Sequence, residues 1–166
     1  GRLDYHQKRA DLILPLWEVL SSALPDWHLD VVGDGPALEE LRRNATALAL
    51  DRVTFHGQQT PDNYYKKAAI SIMTSVYEGF PNTIIEAQSY GAVPVLFDSF
   101  LIAGWMINDG KDGHLVQPTD LDEMAAKIVD LASGNKLKAF MLAALRNARR
   151  FQVDAVGLKW LELFDK

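Results

Sequence analysis

The chain reads as an α/β protein, a Rossmann-like doubly wound parallel sheet flanked by helices. Three observations predict this. Short apolar segments alternate with amphipathic ones, the intervals between them suit helical crossovers, and several apolar segments run directly into turns rich in Gly, Asp or Asn. A length of 166 residues with 48% hydrophobic side chains is enough for one core, so one domain is expected. No apolar run approaches the roughly 18 residues of a membrane span, and no signal-peptide pattern opens the chain. The absence of cysteine excludes disulfides and thiolate metal sites and fits a cytoplasmic setting. A formal net charge of −5 argues against nucleic acid as a partner. No internal repeat or low-complexity tract appears.

Taken in order, Gly1-Arg2-Leu3-Asp4-Tyr5-His6-Gln7-Lys8-Arg9 has no strand before it, an odd start for a parallel α/β domain. Ala10 to Leu24 is an amphipathic helix with Leu12, Ile13, Leu16, Trp17, Leu20 and Leu24 on one face, and Pro15 within it demands a kink or a late start. Trp27 to Val32 is a strand ending in Gly33-Asp34-Gly35-Pro36. That turn begins like a dinucleotide fingerprint, but Leu38 stands where the third glycine belongs, so it is read as a turn near a ligand site and not as an NAD site. Pro36 to Leu50 is a charged amphipathic helix that opens on a favourable proline. Arg52 to His56 is the next strand, with Gly57-Gln58-Gln59 at the carboxyl edge of the sheet, where open α/β folds bind ligands. His56, alone at a strand end, is expected to be structural.

Asp62 to Ala68 is a short helix with Tyr64 and Tyr65, and Ala69 to Thr74 is a buried parallel strand. Val93 to Phe97 is the following strand, Ile102 to Ile107 a helix, and His114 to Val116 a short strand after the turn at Asp109-Gly110-Lys111-Asp112-Gly113. That turn lacks the later acidic ligands and closing Glu of a calcium loop. Asp120 to Ala132, Lys136 to Arg150 and Asp154 to Phe164 complete the chain as helices, with Leu137, Phe140, Met141, Ala144 and Leu145 as a core stripe. Arg146, Arg149 and Arg150 form a solvated face or, alternatively, a contact with an anionic membrane surface.

The stretch around which these elements are organised is Ser75-Val-Tyr-Glu-Gly-Phe-Pro-Asn-Thr-Ile-Ile-Glu86, followed by Ala87-Gln-Ser-Tyr-Gly91. Thr83 to Tyr90 is helical and stops at Gly91, a C-cap. Glu78-Gly79-Phe80-Pro81-Asn82 is therefore a loop entering a helix N-terminus, whose unpaired N–H groups and dipole favour a phosphate. Glu78 in the loop and Glu86 on the helix flank that anion site. A nucleotide sugar needs such a layout: diphosphate on the amides, one carboxylate for sugar hydroxyls and another for the ribose. On spacing alone, two solvated surface glutamates are the alternative.

The complete string Ser-x-x-Glu-Gly-Phe-Pro-Asn-x-x-x-Glu-Ala, with Gly91 and Pro94-Val95 behind it, resembles the Glu-x7-Glu signature of retaining, two-domain glycosyltransferases of GT-B architecture, in their C-terminal, donor-binding half. Residues 1–166 would then be the donor domain of a larger enzyme, one half of a GT-B fold, and transfer no sugar in isolation. The resemblance makes Arg2 and Lys8 the pair that holds the donor diphosphate, with Glu78 at the transferred sugar, as the catalytic set. It makes Gly79, Phe80, Pro81, Asn82, Thr83 and Glu86 donor-binding, and sets Gly57, Gln58 and Gln59 beside the nucleobase. Two cations on a diphosphate give charge-assisted hydrogen bonds without a metal, so neither a metal nor a cofactor is expected. The implied donor is a UDP-sugar. The implied acceptor is a hydroxyl of a bacterial glycan or lipid-linked sugar, met by the absent N-terminal domain in the cytoplasm or at the inner membrane face. A nucleotide-sugar epimerase of similar architecture and a non-catalytic nucleotide-sugar-binding module are the rivals.

Overall fold

All strand pairs are parallel, but the sheet comes in two pieces. The computed structural model describes residues 1–164, without the side chains of residues 158, 159, 162 and 163. Strands β1 (Leu29–Val32) and β2 (Val53–Gly57) pair with each other, while β3 (Ile70–Met73), β4 (Val93–Phe97) and β5 (His114–Val116) form a second sheet in that order. Helices α1 (Ile13–Ala23), α2 (Leu38–Ala47), α3 (Asp62–Tyr65), α4 (Asn82–Ser89), α5 (Ala103–Met106), α6 (Leu121–Ser133), α7 (Leu137–Ala148) and α8 (Val153–Phe164) fill the connections. β1 and β3 line a common cavity. In open α/β sheets ligands bind in a crevice at the carboxyl ends of the strands, where the chain order reverses.

β4 is the centre, buried at all 5 positions. Alternate side chains of a strand point to opposite faces, and the clusters divide accordingly. Val93, Val95 and Phe97 pack with Leu16, Trp17 and Leu20 of α1 and Met124 and Ile128 of α6. Leu96 packs the other way, against Ile84 of α4 and Ala103 and Met106 of α5. Each large buried side chain removes apolar area worth about 1.5–3 kcal/mol. This is the doubly wound arrangement the alternation predicts.

Two departures have physical causes. The first helix starts late: a 3-10 turn at Ala10–Leu12 precedes α1, which places Pro15 in the first helical turn, where its missing N–H removes no internal bond. β3, expected to be a buried strand, is half-buried at all 4 positions. One of its edges has no strand partner among the described residues, nor has one edge of β1. Both strands line a cavity of about 960 Å³, together with Leu16 and Leu20.

The two pieces are tied by the first residues of the chain. The Gly1 nitrogen donates to Val32 O at 2.7 Å, Leu3 N–H to Asp34 O at 2.8 Å, and Ala37 N–H returns to Leu3 O at 3.1 Å. Further along, Val76 N–H donates to Gln7 O at 2.9 Å and the Thr74 hydroxyl to Lys8 O at 2.7 Å. The first three contacts grip the β1 side, the last two the β3 side.

Helix α4, which carries the central motif, ends at Gly91 with φ +87°, the left-handed C-cap expected of it. It is held from behind by a buried amide pair. Asn147 of α7 donates to Gln88 Oε1 at 3.0 Å and to Met106 O at 2.6 Å, and Gln88 donates to Asp112 O at 3.1 Å. Asn147→Ala is expected to destabilise the fold by about 2–3 kcal/mol, because it strands two buried acceptors. Urea unfolding checks this through a lower midpoint at an unchanged slope.

Candidate functional site

Asp4 builds the first wall. Its buried carboxylate Oδ1 accepts the N–H groups of His6 at 3.1 Å, Gln7 at 2.7 Å and Lys8 at 3.3 Å, an Asx-type turn that fixes where Lys8 points. Burial pushes the Asp4 carboxyl up, but the N–H groups of Gln7 and Lys8, the Arg2 guanidinium and the His6 N–H outweigh it and hold the group below its ordinary value. Arg2 itself is exposed and stands 3.8 Å from Asp4.

The second wall is the loop into α4. Glu78 lies inside it and is not a solvated surface charge: its side chain is 9% exposed and accepts the Lys8 ammonium at 2.5 Å. Gln7 Nε2 reaches the other carboxylate oxygen at 3.4 Å and the Tyr77 carbonyl at 3.1 Å. The helix N-terminus is partly closed by its own turn, since Asn82 N–H donates to Phe80 O and Ile84 N–H to Pro81 O, each at 3.0 Å. The N–H groups of Gly79, Phe80 and Thr83 have no backbone partner among the described residues. A Cβ at Gly79 would meet nothing within 4 Å, so internal packing does not demand glycine there. Pro81 is buried, Asn82 is exposed, and Phe80 leans on Phe151 at 6.4 Å, away from the cavity.

The third wall comes from the β1–β2 side. Gly57 has φ +68° and its carbonyl accepts Gly33 N–H at 2.8 Å, while Gln58 and Gln59 line the cavity. Glu86 of α4 lines the same cavity as Gln58, Gln59 and Tyr65. Burial, then the nearby Glu86 carboxylate, push the Tyr65 phenol up to about 12. His56 bonds Asp30 at 2.6 Å and packs on Tyr64.

One cavity is thus lined by Arg2, Lys8, Gln58, Gln59, Thr83 and Glu86 together with apolar residues of α1, β1 and β3, and Glu78 joins through Lys8. Gly57, Gly79, Phe80, Pro81 and Asn82 are not among its lining residues. Sequence reasoning missed Asp4, Gln7 and Tyr65. For Asp4 a signal existed, an aspartate placed to receive N–H groups two to four residues on. Among the described residues no group of three or more His, Asp or Glu side chains is placed to hold a metal ion, and no helix is long and apolar enough to cross a membrane.

Comparison with known proteins places the fold in a family. Residues 1–134 match the family model described as Glycosyl transferases group 1. The chain is 30% identical over 141 residues to the lipopolysaccharide 1,6-galactosyltransferase of Salmonella typhimurium, covering 81% of this chain and 38% of that protein. Among solved structures it superposes on a mutant of S. aureus TarM in complex with Fondaparinux, alpha-GlcNAc-glycerol and UDP, with a TM-score of 0.88, 26% identity, and 100% of this chain on 34% of that one. The apo form of the lipopolysaccharide outer core galactosyltransferase WaaB gives a TM-score of 0.78 and 27% identity, over 93% of this chain and 44% of that one. In each case the chain spans less than half of its relative.

Proposed function

Because the chain belongs to the group 1 glycosyltransferases, with the fold of a C-terminal-like GT-B domain, we propose that it binds a nucleoside-diphosphate sugar, most simply a UDP-sugar, for transfer to a glycan or lipid-linked acceptor. The observation that carries this reading is that Arg2, Lys8, Gln58, Gln59, Thr83 and Glu86 line one cavity beside β1 and β3. The named activity of the Salmonella relative and the UDP in the TarM complex support the class of donor and of product.

In this reading Glu86 receives the ribose hydroxyls, and the turn Gly57-Gln58-Gln59 faces the base. Arg2, Lys8 and the N–H groups of Gly79, Phe80 and Thr83 hold the diphosphate. They stabilise its charge as the bond from the anomeric carbon to the phosphate oxygen breaks. The acceptor oxygen takes that carbon from the same face, and its proton passes to the departing phosphate, so the anomeric configuration is retained. Transfer needs a second wall across the cleft, supplied by the rest of the enzyme.

Thermal unfolding tests the donor site directly. UDP at 100 times its dissociation constant should add about 2.7 kcal/mol and raise the melting temperature, with NAD inert and EDTA without effect. A shift with NAD and none with any nucleoside diphosphate would refute the proposal.

A further inference from the structure

Both cations that face the diphosphate in this reading already have anionic partners, and the two pairs differ in kind. The Arg2 side chain is 72% exposed and 3.8 Å from Asp4, a contact that solvent screens and a ligand can easily replace. The Lys8–Glu78 contact is closer, at 2.5 Å, and its side chains are only 26% and 9% exposed. Water weakens such a pair much less. Glu78 is also cornered: beyond Lys8, its contact is Gln7 at 3.4 Å. A diphosphate arriving at Lys8 therefore meets a carboxylate in possession. It must either share the ammonium with a second anion or displace Glu78 from it, when among the described residues only Gln7 is otherwise within hydrogen-bonding reach of the carboxylate. Both outcomes oppose binding of a bare anion.

We infer that Glu78 is an internal counter-ion through which the site discriminates an intact donor from a spent nucleoside diphosphate. This rests on the donor-site reading above. While the sugar is attached, its hydroxyls donate to Glu78 and compensate the carboxylate for what the diphosphate takes from Lys8. Once the sugar has left, nothing compensates it, and Glu78 competes with the product diphosphate for Lys8. The group that orients the sugar thereby hastens release of the nucleotide.

The test is titration calorimetry of the parent and Glu78→Gln with uridine, UDP, inorganic diphosphate and a panel of UDP-hexoses. Glutamine keeps the length and an oxygen for Lys8 but removes the charge. UDP and inorganic diphosphate should bind the variant about tenfold more tightly than the parent. Uridine, which has no phosphate, should bind both alike. The best UDP-hexose should gain less than UDP does, so that the preference for intact donor over UDP falls several-fold. Unchanged or weaker UDP binding by the variant overturns the inference, and so does an equal gain for uridine, the mark of a merely loosened site. Either result leaves the donor site standing, because the parent still binds UDP. If neither protein binds any nucleoside diphosphate, the donor-site reading falls and takes the counter-ion with it.

Discussion

Replacing Lys8 by alanine is expected to weaken UDP binding about ten- to a hundredfold and to cost roughly 1.5–3 kcal/mol of folding stability. The two effects share one origin. Lys8 is the less exposed of the two predicted cations, and Asp4 fixes its approach through the turn at His6, Gln7 and Lys8. Without it the diphosphate loses a charge-assisted hydrogen bond. Glu78, 9% exposed, loses its ion-pair partner and stays largely out of water. Lys8→Arg should recover much of the stability and less of the affinity, because a guanidinium does not present its donors where an ammonium does. Calorimetric titration with UDP and urea unfolding read the two effects separately. Unaltered UDP affinity in the alanine variant would remove Lys8 from the donor site.

Gly35→Ala is expected to be the most damaging of the substitutions considered, at about 3 kcal/mol or more. The position has φ +153°, and a Cβ there would lie 2.4 Å from Leu3 O and 2.8 Å from Leu3 N, both backbone atoms. Leu3 cannot retreat cheaply. It is buried, its N–H donates to Asp34 and its carbonyl accepts from Ala37. Pushing it away also moves its neighbour Arg2, so UDP affinity should fall with stability. Gly79→Ala is the comparison, with open space around the new methyl and a backbone that is not left-handed. Its stability should change by no more than about 0.5 kcal/mol. Urea midpoints decide the matter, and a Gly35→Ala protein as stable as the parent would mean that the first residues do not lie against this turn.

Gly35 also shows why part of the molecule was legible in the sequence. The Gly33-Asp34-Gly35 turn begins like a fingerprint that lacks its third glycine, and in the structure a Cβ at Gly33 would meet Gly1 and at Gly35 would meet Leu3. Local signals carried well: the five-residue apolar run of β4, the stop at Gly91 and the cap at Asp120, whose side chain accepts Glu123 N–H at 2.8 Å. Each depends on residues within a few positions. Lys8 and Glu78 are 70 residues apart, and Gln88 and Asn147 are 59 apart. Polar pairs of that kind have no period and no composition, so only the fold brings them together. The half-exposure of β3 escaped for a related reason. An apolar run reports what a strand is able to bury, and the neighbour on its free edge is not written in it.

The divided sheet also bears on how binding and folding are coupled. Gln58 and Gln59 belong to one bank of the seam, Thr83 and Glu86 to the other, and Arg2 and Lys8 to the segment laid across it. Leu29 of β1 and Val53 of β2 pack on the same apolar cluster as Val93, Val95 and Phe97 of β4, so the two banks already share a core. A ligand gripped from both banks adds its free energy of binding to that shared core and raises the stability of the domain as one body.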